Sequence, residues 1–194
     1  PEEYKKTLVP IYKKAEVAKE YIDNLASDVS SQFDAEIRVA GLKGSKRVIE
    51  KTLDDYEGDF TRVYDYARNT IIAKKDFKDI PEILDGLKSN GNINRVKDFL
   101  KDGNPGGYHH IIINVKAPNG HIAEIQISTP EMFKAKITGG DDLYDQIRIL
   151  DAKEKTVNLT DIEIETRKKL NKQMHQLYDE AWERDMKALA ASSE

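Results

Sequence analysis

The run from Tyr108 to Thr129 constrains this chain more than any other segment. Pro118-Asn119-Gly120 is a tight-turn signal set between two alternating runs, and that pattern predicts a β-hairpin over residues 108–129. In the second run Ile122, Glu124 and Gln126 point one way, while Ala123, Ile125 and Ile127 point the other. Around the hairpin the periodicity changes. Residues 3–33 read as one long helix, with Ile11, Ala15, Ala18, Ile22, Leu25, Val29 and Phe33 at helical spacing and Pro10 as a bend or restart. Residues 37–40 and 62–73 read as strands, 45–55 and 79–89 as helices, and 93–100 as a further strand. A loop over 101–107 joins that strand to Tyr108. Pro130 opens a helix at its first turn, and residues 159–190 form a long charged helix. The expected fold is α+β, a small mixed β-sheet flanked by helices. It is read as one domain over 1–194, with a core of about 35–150 and helical extensions at 3–33 and 159–190.

Composition narrows the function classes. The 194 residues suffice for a buried core, and 39% hydrophobic with 34% charged residues is a globular profile. A net charge of −4 gives no general pull toward nucleic acid, although it leaves room for a local basic groove. The absence of cysteine excludes disulfides, thiolate metal sites and cysteine nucleophiles. No apolar run approaches the roughly 20 residues that span a bilayer, and no signal peptide is visible. The chain begins at Pro1 without a methionine, as an excised piece of a longer protein would.

Three constellations carry chemistry. Lys43, Arg47 and Lys51 are spaced four apart, which on a helix stacks three cations on one face, suited to a polyphosphate or simply to solvent, with Glu50 and Asp54 as pairing partners. Asp65, read in a strand with Val63 and Ala67, and Glu124 are carboxylates on inward-looking strand faces. Such charges need a reason. They could hold Mg²⁺ together, or Glu124 could pair with Arg68 or Arg95. The loop Asn104-Pro105-Gly106-Gly107-Tyr108 offers glycines for close approach to a ligand and a tyrosine able to stack on a base, or it is only a connection. His109 and His110 are adjacent, a poor geometry for one metal site. The four histidines show no HExxH spacing, and no G-x-S-x-G supports a serine hydrolase.

In order, Arg95-Val96-Lys97-Asp98-Phe99-Leu100, Gly107-Tyr108 and Ala123-Glu124-Ile125-Gln126-Ile127-Ser128-Thr129 resemble the RelA/SpoT-like synthetase domain, the nucleotide pyrophosphokinases that make alarmones. The resemblance runs from about Lys43 to Tyr144 and looks closest to toxin-type members in Leu42–Lys51, Asp55-Tyr56 and Gly139-Gly140 to Tyr144. It implies the nucleotidyltransferase-like synthetase fold and transfer of pyrophosphate from ATP to the 3′-hydroxyl of a purine nucleotide, making (p)ppGpp or (p)ppApp. It further implies Mg²⁺ as cofactor, an immunity protein or antitoxin as partner, and the bacterial cytoplasm, of the producing or the target cell, as the place of action. By the same resemblance Lys43 and Lys51 hold the ATP, with Arg47 and Arg68 assigned beside them, and Asp65 and Glu124 bind metal, with Glu124 also activating the attacking hydroxyl. Lys97, Tyr108, His110 and Gln126 serve the acceptor. Departures stand at Arg47 for a serine, Asn104 for a lysine, Gly106 for an asparagine, Ile112 for a histidine, and Asp141 where toxin modules carry histidine after the glycines. No His-Asp phosphohydrolase pattern is present, so synthesis without hydrolysis is expected. The alternatives are pyrophosphorylation of the tRNA 3′ end, disfavoured by the acidic balance, and a degenerate nucleotide-binding domain.

Overall fold

Helical and alternating patterns fold where the periodicity is strongest, and the departures lie between them. The computed structural model describes residues 2–74 and 77–191. In chain order it contains α1 (Lys5–Ser30), β1 (Ala35–Val39), α2 (Ser45–Asp55), β2 (Arg68–Ala73), α3 (Asp79–Asn90) and β3 (Ile93–Asp98). These are followed by β4 (Ile111–Lys116), β5 (Ile122–Ser128), α4 (Pro130–Ala135), α5 (Asp141–Glu154) and α6 (Asp161–Ala191). Short 3₁₀ turns cover Glu2–Tyr4 and Phe60–Arg62, and a π-helical turn covers Lys136–Gly140.

The chain divides into two compact units. The first holds the residues up to Lys97 together with Ile111–Ile127. Its five-stranded sheet has the order β1-β2-β5-β4-β3. β1 runs antiparallel to β2, and β4 antiparallel to β5 with Asn114 opposite Glu124 and Ile112 opposite Gln126. That register buries Ile111, Ile113, Val115, Ala123, Ile125 and Ile127 on one face and leaves Glu124 and Gln126 on the other. Helix α1 packs on β1, β2 and α3. It buries Leu8, Ala15, Ala18, Ile22, Leu25, Ala26 and Val29, and it runs through Pro10. Asn69 of β2 locks onto it, donating to the Ile22 carbonyl and the Asp23 carboxylate.

The second unit comprises Asp98–His110 and the residues from Ser128 onward. Here α4, the π-helical turn and α5 pack on α6. A Cβ on Gly140 would collide with the Tyr178 hydroxyl, so this glycine is required by close packing. The buried Asp185 of α6 accepts from the Thr129 hydroxyl at 2.6 Å and from the Glu131 and Met132 amides at 3.1 Å each. It thereby satisfies the N-terminus of α4, whose cap residue Thr129 spends its hydroxyl on Asp185 and makes no capping bond to the helix itself.

Several expectations need correction. The strand expected over 62–73 begins only at Arg68, because Asp59 accepts from the Thr61 amide and hydroxyl and winds Phe60–Arg62 into a 3₁₀ turn. Asp65 therefore lies in a loop. Lys43 precedes α2, so the cations do not all share one helix. Tyr108, His109 and His110 precede β4. Helix α5 was not anticipated, since its charged sequence shows only one buried position, Ile147.

Asp185→Ala is expected to lose on the order of 3 kcal/mol, since a charged acceptor and its buried donors are unpaired together. For a chain of this size that lowers the melting temperature by roughly 6–12 °C, measurable by differential scanning calorimetry.

Candidate active site

Asp65 is 8% exposed and is gripped from two sides. Lys43 Nζ lies 2.5 Å from its Oδ2, and Lys51 Nζ lies 3.0 Å from its Oδ1. Lys43 is placed by its backbone: its amide donates to the Tyr66 carbonyl, and its carbonyl accepts from the Tyr12 hydroxyl. Lys51 comes from α2, with Arg47 exposed one turn earlier. Burial alone would raise the Asp65 carboxyl, but Lys51 and Lys43 outweigh it and hold it down to about 2. The two cations respond in opposite directions. Burial lowers Lys51, yet Asp65 more than compensates and its net shift is upward. Burial also lowers Lys43, and there the attraction of Asp65 does not offset it, because Lys51 and Arg68 add positive charge nearby. Lys43, Lys51 and Arg68 thus set three cations against the carboxylates of Asp65 and Glu124, and such a surplus of positive charge suits a polyphosphate.

Glu124 belongs to the same neighbourhood. It is half-buried on β5, and its amide donates to the Ala67 carbonyl at 3.0 Å, tying β5 to the segment just after Asp65. Burial and the negative charge of Asp65 raise its carboxyl, against the Gln126 hydrogen bond and the cations Lys51 and Lys43. Gln126 Nε2 donates to Glu124 Oε1 at 2.7 Å. A raised carboxyl is better matched to accepting a proton near neutral pH than an ordinary one. Among the described residues Glu124 forms no salt bridge with Arg68 or Arg95. Arg95 instead donates to Asn114 Oδ1 from Nε at 3.1 Å and Nη2 at 2.9 Å, and lies over the Tyr64 ring.

Two hard oxygen ligands whose like charges raise one of them fit a divalent cation of the magnesium type. Among the described residues no group of three or more His, Cys, Asp and Glu side chains could hold a metal. Asp65 and Glu124 would thus supply two ligands and leave the others to water or substrate phosphate, the usual arrangement for magnesium.

The acceptor residues divide between the units. Lys97 and Gln126 belong to the first, Tyr108 and His110 to the second. Lys97 is exposed on β3. Tyr108 is 4% exposed, in a cluster with Met132, Met174, Tyr178 and Ala181. Its hydroxyl lies 2.8 Å from Ser128 Oγ, and its ring contacts those of Tyr178 and His110. In this arrangement it is a core aromatic, and a base could stack on it only after α6 side chains withdraw. The loop glycines serve the same packing: a Cβ would meet Met174 at Gly106 and His175 at Gly107, where φ is +88°. Asn104 is structural too, its Oδ1 accepting from the Gly106 and Tyr108 amides. His109 stacks on Trp182 and bonds through Nδ1 to the Leu100 carbonyl.

The chain is similar in sequence and fold to known proteins. Over 144 residues, 71% of the chain, it is 32% identical to the (p)ppApp synthetase toxin Tas1 of Pseudomonas aeruginosa. The chain spans about a third of that relative's length. The Type VI effector Tas1, solved in complex with its immunity protein, superposes with a TM-score of 0.60 at 25% identity, covering 94% of this chain and 98% of that one. By sequence and fold, the chain is a RelA/SpoT-like synthetase domain. The small alarmone synthetase 1 of Bacillus subtilis, bound to its product pppGpp, shares the fold with a TM-score of 0.62 at 16% identity, over 96% of this chain and 95% of that one. No protein-family model matches. Asn114 of β4, opposite Glu124, belongs to none of the sequence motifs, although a polar residue in an otherwise aliphatic strand is a signal.

The Asp65 carboxyl has a folded value below its ordinary 3.8, so it stabilises the fold fully above that value and ceases to as pH falls through about 2. In metal-free buffer, the stability difference between wild type and Asp65→Asn is expected to shrink by on the order of 2 kcal/mol between pH 5 and pH 2. Urea melts across that range measure it.

Proposed function

We propose that this domain transfers pyrophosphate from ATP to the 3′-hydroxyl of a purine nucleotide, forming (p)ppApp or (p)ppGpp, and that it acts as a growth-inhibiting toxin module. The observation that carries the reading is the Lys43–Asp65–Lys51 cluster in electrostatic contact with a raised Glu124. The named relative, a (p)ppApp synthetase toxin, supports the product class and the toxic role, and the pppGpp-bound synthetase supports the choice of a purine nucleotide. An immunity protein that blocks the domain is proposed on the same footing.

The reaction asks little covalent help and much positioning. Lys43, Lys51 and Arg68 draw the donor phosphates in, with Arg47 near the entrance on α2. The lysines then exchange Asp65 for phosphate oxygens, which leaves Asp65 and Glu124 as the carboxylates that would hold a divalent cation. Magnesium, when bound there, would neutralise charge on the phosphates. Glu124 takes the proton of the 3′-hydroxyl as its oxygen bonds to the β-phosphorus. The bond from that phosphorus to the α,β-bridging oxygen breaks, and AMP leaves. Gln126 holds the Glu124 carboxylate in place, and Lys97 and His110 are assigned to acceptor phosphates. Tyr108 is assigned to the acceptor base once its ring is uncovered.

Incubating the domain with Mg²⁺, labelled ATP and AMP, ADP, GDP, GTP or tRNA tests this. AMP and a 3′-pyrophosphorylated purine nucleotide are the expected products, and labelled tRNA alone would overturn the acceptor. Glu124→Ala is expected to lower turnover by ~10²–10⁴-fold while calorimetric ATP affinity stays within a factor of about three, because the donor cations are intact. Near wild-type turnover would refute the role of Glu124.

A further inference from the structure

Asn114 is 1% exposed, and its amide is only half used. Both hydrogen bonds to Oδ1 come from Arg95, a side chain that can only donate. That settles which end of the amide is oxygen and which is nitrogen. The Nδ2 is buried and has no hydrogen-bond partner among the described residues. A buried donor of this kind is costly to leave unmet.

Register says where the donor is aimed. β4 lies between β3 and β5 in the sheet. Arg95 is on β3, so it holds Oδ1 on that side and turns Nδ2 toward β5. The residue directly opposite Asn114 on β5 is Glu124. Opposed side chains share a face, with Cβ atoms about 4.5–5.5 Å apart. Glu124 already takes one amide donor, Gln126, on Oε1.

We propose that Asn114, oriented by Arg95, is a positioning residue that donates from Nδ2 to the Glu124 oxygen not used by Gln126. Two side-chain amides on the same sheet face then fix both oxygens of the carboxylate, one from its own strand and one from the neighbour. Arg95 is itself steadied over the Tyr64 ring, 5.5 Å from its centroid. The kinetic part of this proposal rests on the transferase reading above, and the contact does not.

Asn114→Asp separates positioning from mere structure. The carboxylate of that variant would keep or strengthen the bond to Arg95, so the fold should melt within about 3 °C of wild type. It removes the donor and sets a like charge opposite Glu124. Turnover is expected to fall roughly 10- to 100-fold, the usual cost of losing such a supporting bond, with KM for ATP and acceptor within threefold. If Asn114 only anchors Arg95, the variant turns over like wild type and the proposal falls. A second measurement needs no activity and no variant: a through-hydrogen-bond NMR coupling from Asn114 Nδ2 to the Glu124 carboxylate carbon, sought in the free domain and with a non-hydrolysable ATP analogue. Its presence in either state supports the contact, and its absence in both overturns it. A domain that shows the coupling but transfers pyrophosphate to no purine nucleotide retains the contact and loses the proposed reaction.

Discussion

Slipping β4 past β5 by one residue would turn Glu124 and Gln126 into the apolar core and expose Ala123, Ile125 and Ile127. The site rests on that not happening. Six buried aliphatic side chains on one face of the hairpin make the register costly to change, and the polar face inherits its order from them. Glu124 opposite Asn114, and Gln126 opposite Ile112, are consequences of how the isoleucines pack. Chemistry at this sheet is thus specified by the face that takes no part in it.

Charge is organised on a second principle. The buried Asp65 would be costly alone, as would Lys43 and Lys51, and the three are tolerable together because each supplies what the others lack. The compensation is incomplete: Asp65 is shared by two ammoniums, Glu124 adds a second carboxylate whose charge burial disfavours, and Arg68 is close enough to depress Lys43 further. A resting site that is partly neutralised keeps its cations ordered and buried. Under the proposed reaction an incoming polyphosphate would take the place of Asp65 on the two lysines, which are already ordered when it arrives.

The sequence made the hairpin, α2, α3 and the long helices legible, because period and punctuation agree there: Pro118-Asn119-Gly120 between alternating runs, Asn90-Gly91 after an amphipathic stretch. The loop holding Asp65 was not legible, since Val63 to Ala73 reads as β-favouring while a side-chain bond at Asp59 winds the chain just before it. The burial of Tyr108 depends on Met174 and Tyr178, more than sixty residues later, and no local pattern reports it. Separation in sequence also hid the reason for Gly107 and Gly140, which are small because His175 and Tyr178 of α6 press on them. Lys43, Lys51 and Glu124 stand in short motifs, and the structure brings them together around Asp65. Asn114 belongs to no motif and needed the register.

The sheet order leaves β3 at an open edge, with Asn94, Arg95, Lys97 and Asp98 exposed along it. An unpaired strand is a template for any extended chain that meets it, and charged side chains are the common safeguard against such recruitment. Arg95 and Lys97 therefore guard the edge, and Arg95 also holds Asn114 of the neighbouring strand. Stripping their charges in search of catalytic roles would at the same time make the domain more prone to self-association, and loss of soluble protein at this strand should not be read as loss of chemistry.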